Sequence, residues 1–187
     1  MAYDAYLNLD GVKGEALDDK HKDWIELAGF GHQMTQPVSQ TVSSAGGAAT
    51  GRTQHGDFQI HKYVDAASPK LYEAISNGKH FSKAKIEVCR AGGSQVKFLE
   101  INLEEVMISK VHLDSPPNGN HSIIANTTPA SNIGTRTGVG QAALNDLPTE
   151  LVALNYGKIE WVYTQQKRKD GSGGGNVSAK YDLTAGK

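Results

Sequence analysis

The stretch DDKHKDWIELAGFGHQM, Asp18 to Met34, gathers two histidines, three aspartates, a glutamate and a tryptophan. Imidazole beside carboxylate is the material of general acid–base catalysis and of metal ligation. Zinc needs three or four ligands converging on one point. The seven histidines, His21, His32, His55, His61, His80, His112 and His121, show no H-x-x-x-H or H-E-x-x-H spacing and no paired cysteines. His55 and His61 share one side of an expected strand, but six residues of extended chain hold them too far apart to bind one ion. The expectation is solvated surface histidines, with no metal and no cofactor.

Nucleophile and phosphate motifs are weighed the same way. GGAATGRT places Gly46, Gly51 and Thr53 on the spacing of a phosphate-binding loop, with Arg52 in the lysine position. A working loop of that kind joins a buried strand to a helix N-terminus, whereas VSSA precedes this one and QHGDFQIH follows it. No G-x-S-x-G elbow occurs. Cys89, the single thiol, lies in the apolar alternation of KIEVC and reads as structural. Glu104 and Glu105 are adjacent on an expected strand and so face opposite sides, a poor acid/base pair. The sequons at Asn126 and Asn176 read as loop composition.

The elements that must position these residues are mostly strands. AYDAYLNL alternates, with Tyr3, Ala5, Leu7 and Leu9 on one face. DGVKGE turns, and DWIELAGFG and DFQIHKYVD follow as strands on either side of a Ser/Gly/Ala-rich loop at about 36–54. One helix is expected at about 68–77, with Ser68 as N-cap, Pro69 at its first position, Leu71 and Ile75 on one face and Gly78 as C-cap. Residues 80–113 suggest a hairpin around Gly92-Gly93 and then a third apolar run. Residues 114–148 hold turn formers without a period, apart from GQAALNDL, which suits a short helical turn. ELVALNYGKIEWVYT resumes strand character, QQKRKDGSGGGN is a break, and VSAKYDL suits an edge strand.

Composition agrees with a mainly β chain. Of 187 residues, 21 are glycine and only six proline, and the length suits a single domain over 1–187. Nineteen basic against twenty acidic residues leave a net charge of −1, so no positive field exists to attract nucleic acid or anionic lipid. No apolar run is long enough for a membrane span, and the N-terminus lacks the pattern of a cleaved signal peptide. The protein is therefore expected to be made in the cytoplasm, without a membrane or nucleic-acid partner.

Four motifs in order, L-D-G-x-x-G-E from Leu9, K-x-x-D-x-x-x-P-x-L from Lys62, S-x-G-K-x-F from Ser76 and R-A-G-G from Arg90, resemble the Hcp (haemolysin-coregulated protein) family, the inner tube of the type VI secretion system. The resemblance covers roughly 3–113 and 148–166. It implies a compact barrel of two antiparallel β-sheets with one flanking helix, and hexameric rings that stack into a hollow tube. It also implies a VgrG spike, a contractile sheath and small effectors as partners, with secretion by the type VI route. Phe30-Gly31-His32-Gln33 stands where the family carries an aromatic-Ser-aromatic-Gly segment, so the resemblance marks Gly31 and His32 as lumen cargo-contact candidates. The 114–148 loop is longer than the family's habit. An enzyme on the same scaffold and a phage tail-tube relative remain the alternatives; no catalytic residue is assigned.

Overall fold

A computed structural model describes residues 3–38, 51–91, 95–115, 147–166 and 173–186. In chain order they form β1 (Tyr3–Leu9), β2 (Ile25–Leu27), β3 (Gly29–Gly31), β4 (Met34–Thr35), β5 (Gln54–His55), β6 (Phe58–Tyr63), α1 (Ser68–Asn77), β7 (His80–Arg90), β8 (Lys97–Asp114), β9 (Thr149–Asn155), β10 (Lys158–Gln166) and β11 (Gly173–Asp182). Most of the loop expected at 36–54, the centre of the one at 114–148 with all of GQAALNDL but Leu147, and the break at 167–172 lie outside the described residues. The 36–54 loop springs from the small β4–β5 ladder, where Met34 pairs with His55.

The two sheets expected of the barrel are joined as one nine-stranded sheet, ordered β2-β1-β7-β8-β9-β6-β3, with β10 and β11 branching from β8. Its first and last strands, β2 and β3, are halves of one segment. At Ala28 this segment changes partner, its N–H donating 2.8 Å to the His61 carbonyl on β6 while Ile25–Leu27 stay on β1. One extended stretch thus bridges both ends of the sheet, which is why DWIELAGFG reads as one strand and folds as two.

The sheet forks at Glu105. Its φ of 56° is a left-handed break inside β8. Before it, Leu99–Glu104 pair with β10; after it, Met107–Asp114 pair with β9. The hairpin-plus-third-run reading of 80–113 is corrected here. β8 is one 18-residue strand, because LEINLEEVMISKVHL contains no glycine or proline to end it. The β9–β10 turn is packed against the fork: a Cβ on Gly157 would stand 2.5 Å from Glu105 Oε2 and 3.1 Å from its Cβ, so a larger residue there would push the Glu105 side chain aside.

Alternation explains the core. In β6, Phe58, Ile60 and Lys62 point inward and are all 0% exposed. Phe58 and Ile60 join Leu7, Ile25, Ile86, Leu103, Val152 and Leu154 in the core. The helix closes one side with Leu71 and Ala74, and burying Leu71 alone is worth about 1.5–3 kcal/mol. Gly78 ends the helix in the left-handed conformation at φ 60°, as expected. Ser68 is not the N-cap. Ala67 takes that position without a side-chain cap, and Ser68, 1% exposed, turns its hydroxyl to buried charges instead. Asp65 Oδ1 accepts the Ala67 N–H at 2.9 Å, doing part of the work a cap would do.

Candidate functional site

The stretch that looked most reactive is a structural clip. His21 is 2% exposed, not solvated as expected. Its Nδ1 lies 2.5 Å from Asp18 Oδ2 and its Nε2 3.1 Å from Glu87 Oε2 on β7. The ring stacks on Tyr6 at 4.3 Å and 7°, with Trp24 edge-on at 4.9 Å. Burial works to raise the Asp18 carboxyl, but the His21 ring and the Lys20 and His21 N–H groups hold it below its ordinary value. Both ring nitrogens are engaged and the ring faces are covered, so no substrate reaches them. Imidazole here ties residues 18–24 to β1 and β7.

Gly31 and His32 close β3 and lead into β4. Above Gly31 nothing lies within 4 Å of where a Cβ would be, so a side chain or a ligand can approach its backbone. His32 turns inward. The Tyr156 hydroxyl sits 2.8 Å from His32 Nε2 and 2.9 Å from His55 Nδ1, donating its proton to one ring and accepting the N–H of the other. His32 also packs on Phe58 and Trp161, and His55 stacks on Tyr181 at 4.9 Å. Burial, then the neighbouring His55, lowers the His32 pKa; burial, then Asp57, pushes the Tyr156 phenol up to about 12. A hydrogen-bonded cluster therefore fastens the base of the β4–β5 ladder to the barrel. His55 and His61, expected on one strand, lie on separate strands, β5 and β6; it is His32, 23 positions back in the chain, that meets His55.

The K-x-x-D-x-x-x-P-x-L motif has a physical explanation that sequence reasoning missed. Lys62 Nζ reaches Glu150 Oε2 at 2.9 Å and Asp65 Oδ1 at 2.7 Å, and donates to the Tyr63 carbonyl at 2.7 Å and Ser68 Oγ at 3.0 Å. Ser68 Oγ–H donates to Glu150 Oε2 at 2.8 Å, and the Tyr72 hydroxyl donates to Glu150 Oε1. Burial and then the Glu150 hydrogen bond push the Tyr72 phenol up to about 12. Lys62 and Glu150 are 0% exposed. The motif pins the helix N-terminus to β6 and β9. The available signal was parity: Lys62 follows Phe58 and Ile60 on the inward face.

The remaining candidates supply no reacting pair. Thr53 follows Gly51 and Arg52 directly into β5, a strand where a phosphate loop requires a helix. Cys89 is buried, and desolvation followed by Glu87 pushes its thiol up, away from the reactive thiolate. Glu104 and Glu105 stand at the fork and bracket the Gly157 turn, with the Gly157 N–H donating 3.0 Å to the Glu104 carbonyl. Asn176 is not in a loop; it lies on β11 and accepts from Thr164 at 3.0 Å. Asn126 and His121 fall outside the described residues. Among the described residues no three His, Cys, Asp or Glu side chains are placed to hold a metal ion.

Comparison with known proteins points the same way along almost the whole chain. A family profile described as "Type VI secretion system effector, Hcp" matches residues 6–163. The protein hcp1 of Pseudomonas aeruginosa is 30% identical over 184 residues, covering 98% of this chain and 96% of its own. The major exported protein of the same organism is 28% identical over 124 residues, 58% of this chain and 70% of its own. A solved structure described as that of a type six secretion system protein superposes with a TM-score of 0.80 at 27% identity, covering 100% of this chain and 99% of that one.

Proposed function

Given that the chain belongs to the Hcp family of the type VI secretion system, we propose that its copies close into hexameric rings and that the rings stack head to tail into a hollow tube. The chain is a structural tube subunit of that system. The observation that carries the reading is length: the family profile, the relative and the solved structure each follow this chain through nearly all of its barrel. On this reading a VgrG-type spike caps the tube, a contractile sheath surrounds it, and small effectors travel in the lumen. Catalysis has no part in it.

Export follows from the same role. A subunit of an ejected tube leaves the cell with it, which supports secretion without a cleaved signal peptide; a relative carries the name major exported protein. Among the described residues no helix is long and apolar enough to cross a membrane. Of the two lumen candidates, Gly31 is the one the geometry favours, since its backbone is open while His32 is occupied with Tyr156.

The experiment is export from a type VI-competent bacterium whose own Hcp has been deleted. The chain is expected in the medium when sheath and spike are intact and absent when the sheath gene is removed. Gly31→Arg is expected to export itself but to leave a small effector behind, since arginine fills the space glycine leaves open. Sheath-independent appearance in the medium would sink the export reading; undiminished effector export by Gly31→Arg would sink the lumen assignment.

A further inference from the structure

We propose that His32, His55 and Tyr156 form an acid-sensitive clasp, which holds the β4–β5 ladder against the barrel while both imidazoles are neutral and lets it swivel once the pair takes up a proton. The device lies within one chain and is independent of how copies assemble.

The ladder depends on this clasp because of its topology. β4 and β5 make a two-stranded sheet of their own, and among the described residues no strand pairing joins it to the nine-stranded sheet. It is linked to β3 through His32 and Gln33 and to β6 through Gly56 and Asp57. Across those links the Gly56 N–H donates 2.9 Å to the Gln33 carbonyl, which ties one arm to the other and neither to the barrel. The ring contacts that do reach the barrel come from one imidazole on each arm. His32 lies against Phe58, Tyr156 and Trp161, and His55 against Tyr156 and Tyr181.

Proton counting makes the arrangement sensitive to acid. The Tyr156 hydroxyl has a single proton, so between two neutral rings it donates to one and accepts from the other. A proton added to the accepting ring turns both rings into donors aimed at one oxygen. The hydroxyl proton then loses its acceptor, and a charge stands in a half-buried site 6.2 Å, centroid to centroid, from the second imidazole. The neighbours do little to balance it. β6 supplies Phe58, β10 Trp161 and β11 Tyr181; the carboxylate that acts on the cluster is Asp57, already held by the Ser109 hydroxyl at 2.5 Å and the Asn155 amide at 2.8 Å.

The sign of the pH dependence follows. Burial and then His55 hold the His32 pKa below its ordinary value, and the Gly56 backbone offsets them only in part. A swivelled ladder regains an ordinary histidine and so binds more protons than the clasped one. The clasp is therefore at full strength above about pH 6.5 and weakens as the pH falls below it.

The test follows the dilute full chain by NMR from about pH 8 to about pH 5. Hydrogen exchange of the Gly56 amide reads the ladder, amides of β6 and β9 read the barrel, and the ring protons of His32 and His55 read their charge. Gly56 protection, corrected for the intrinsic rate, is expected to fall by up to about tenfold per pH unit below about 6.5, the slope of one proton taken up on opening. The fall should run in step with titration of the imidazole pair, while β6 and β9 keep their protection. The double variant His32→Gln with His55→Gln, which has no imidazole at the site, is expected to show no such slope, whatever its absolute protection. Gly56 protection that is independent of pH in wild type, a loss shared equally by β6 and β9, or a slope that survives in the double variant would each overturn the clasp. The wild-type measurement decides by itself if the double variant does not fold.

Discussion

Lys62→Met is expected to destabilise the folded chain by about 3–5 kcal/mol, the largest loss of any single substitution considered for this fold. Glu150 is 0% exposed and Asp65 13%, and Lys62 is the cation both of them face. Removing it leaves two carboxylates in a buried site with hydroxyl and amide donors but without their lysine. The converse change is milder. Glu150→Gln leaves the Lys62–Asp65 pair intact and keeps one oxygen to accept from Lys62 and Ser68, while its NH2 group meets the Tyr72 hydroxyl, which can turn to accept, so about 1–3 kcal/mol is expected. Replacing both partners by apolar residues, Lys62→Met with Glu150→Leu, is expected to recover much of the single-variant loss, because the desolvation cost disappears with the charges. Urea unfolding at one fixed protomer concentration reads all three, since assembly would otherwise shift the midpoint. Equal losses for Lys62→Met and Glu150→Gln would contradict the asymmetry.

The second large effect is expected at Gly14. The segment Val12–Ala16 runs against residues 23–25, with the Gly14 N–H donating 2.8 Å to the Asp23 carbonyl and the Ala16 N–H 3.0 Å to the Trp24 carbonyl. A Cβ on Gly14 would stand 2.4 Å from the Trp24 carbonyl oxygen and 2.7 Å from the Ile25 nitrogen and Cα. These are backbone atoms, so no rotamer change relieves the clash. Gly14→Ala is expected to cost about 2–3 kcal/mol, the upper part of the range for overpacking, and to loosen the His21 clip that the same segment holds. A thermal melt with a Gly31→Ala control checks it: open space lies above Gly31, so the control should stay within about 0.5 kcal/mol of wild type. Equal melting of the two variants would remove the steric argument.

These two sites also mark where sequence reasoning reached and where it stopped. Alternation in β1, β6 and β7 and the cap at Gly78 were enough to place a mainly β chain with one helix, because each is a local signal, while the barrel was what the family resemblance of the motifs implied. What escaped depends on partners far along the chain. Lys62 and Glu150 are 88 positions apart and directly opposite across β6 and β9. His21 finds Glu87 across 66 positions, and His32 finds Tyr156 across 124. A histidine among aspartates looks the same in sequence whether it is solvated or clipped beneath a tyrosine ring. The inward parity of Lys62 was legible, yet a lysine on a core face has meaning only once its carboxylate is known. The fork at Glu105 was hidden for the opposite reason: a left-handed glutamate carries no sequence mark, and only the switch of partners from β10 to β9 explains it.

On the proposed reading, the barrel with its pinned helix is a tube subunit that repeats around a ring. Mass in solution, measured by light scattering over rising concentration and paired with electron microscopy of the same sample, tests that most directly. The expected result is a species of about six times the mass of one chain, seen as rings with a central hole. A single monomeric species at every concentration, with no ring-shaped particles in the images, would contradict it.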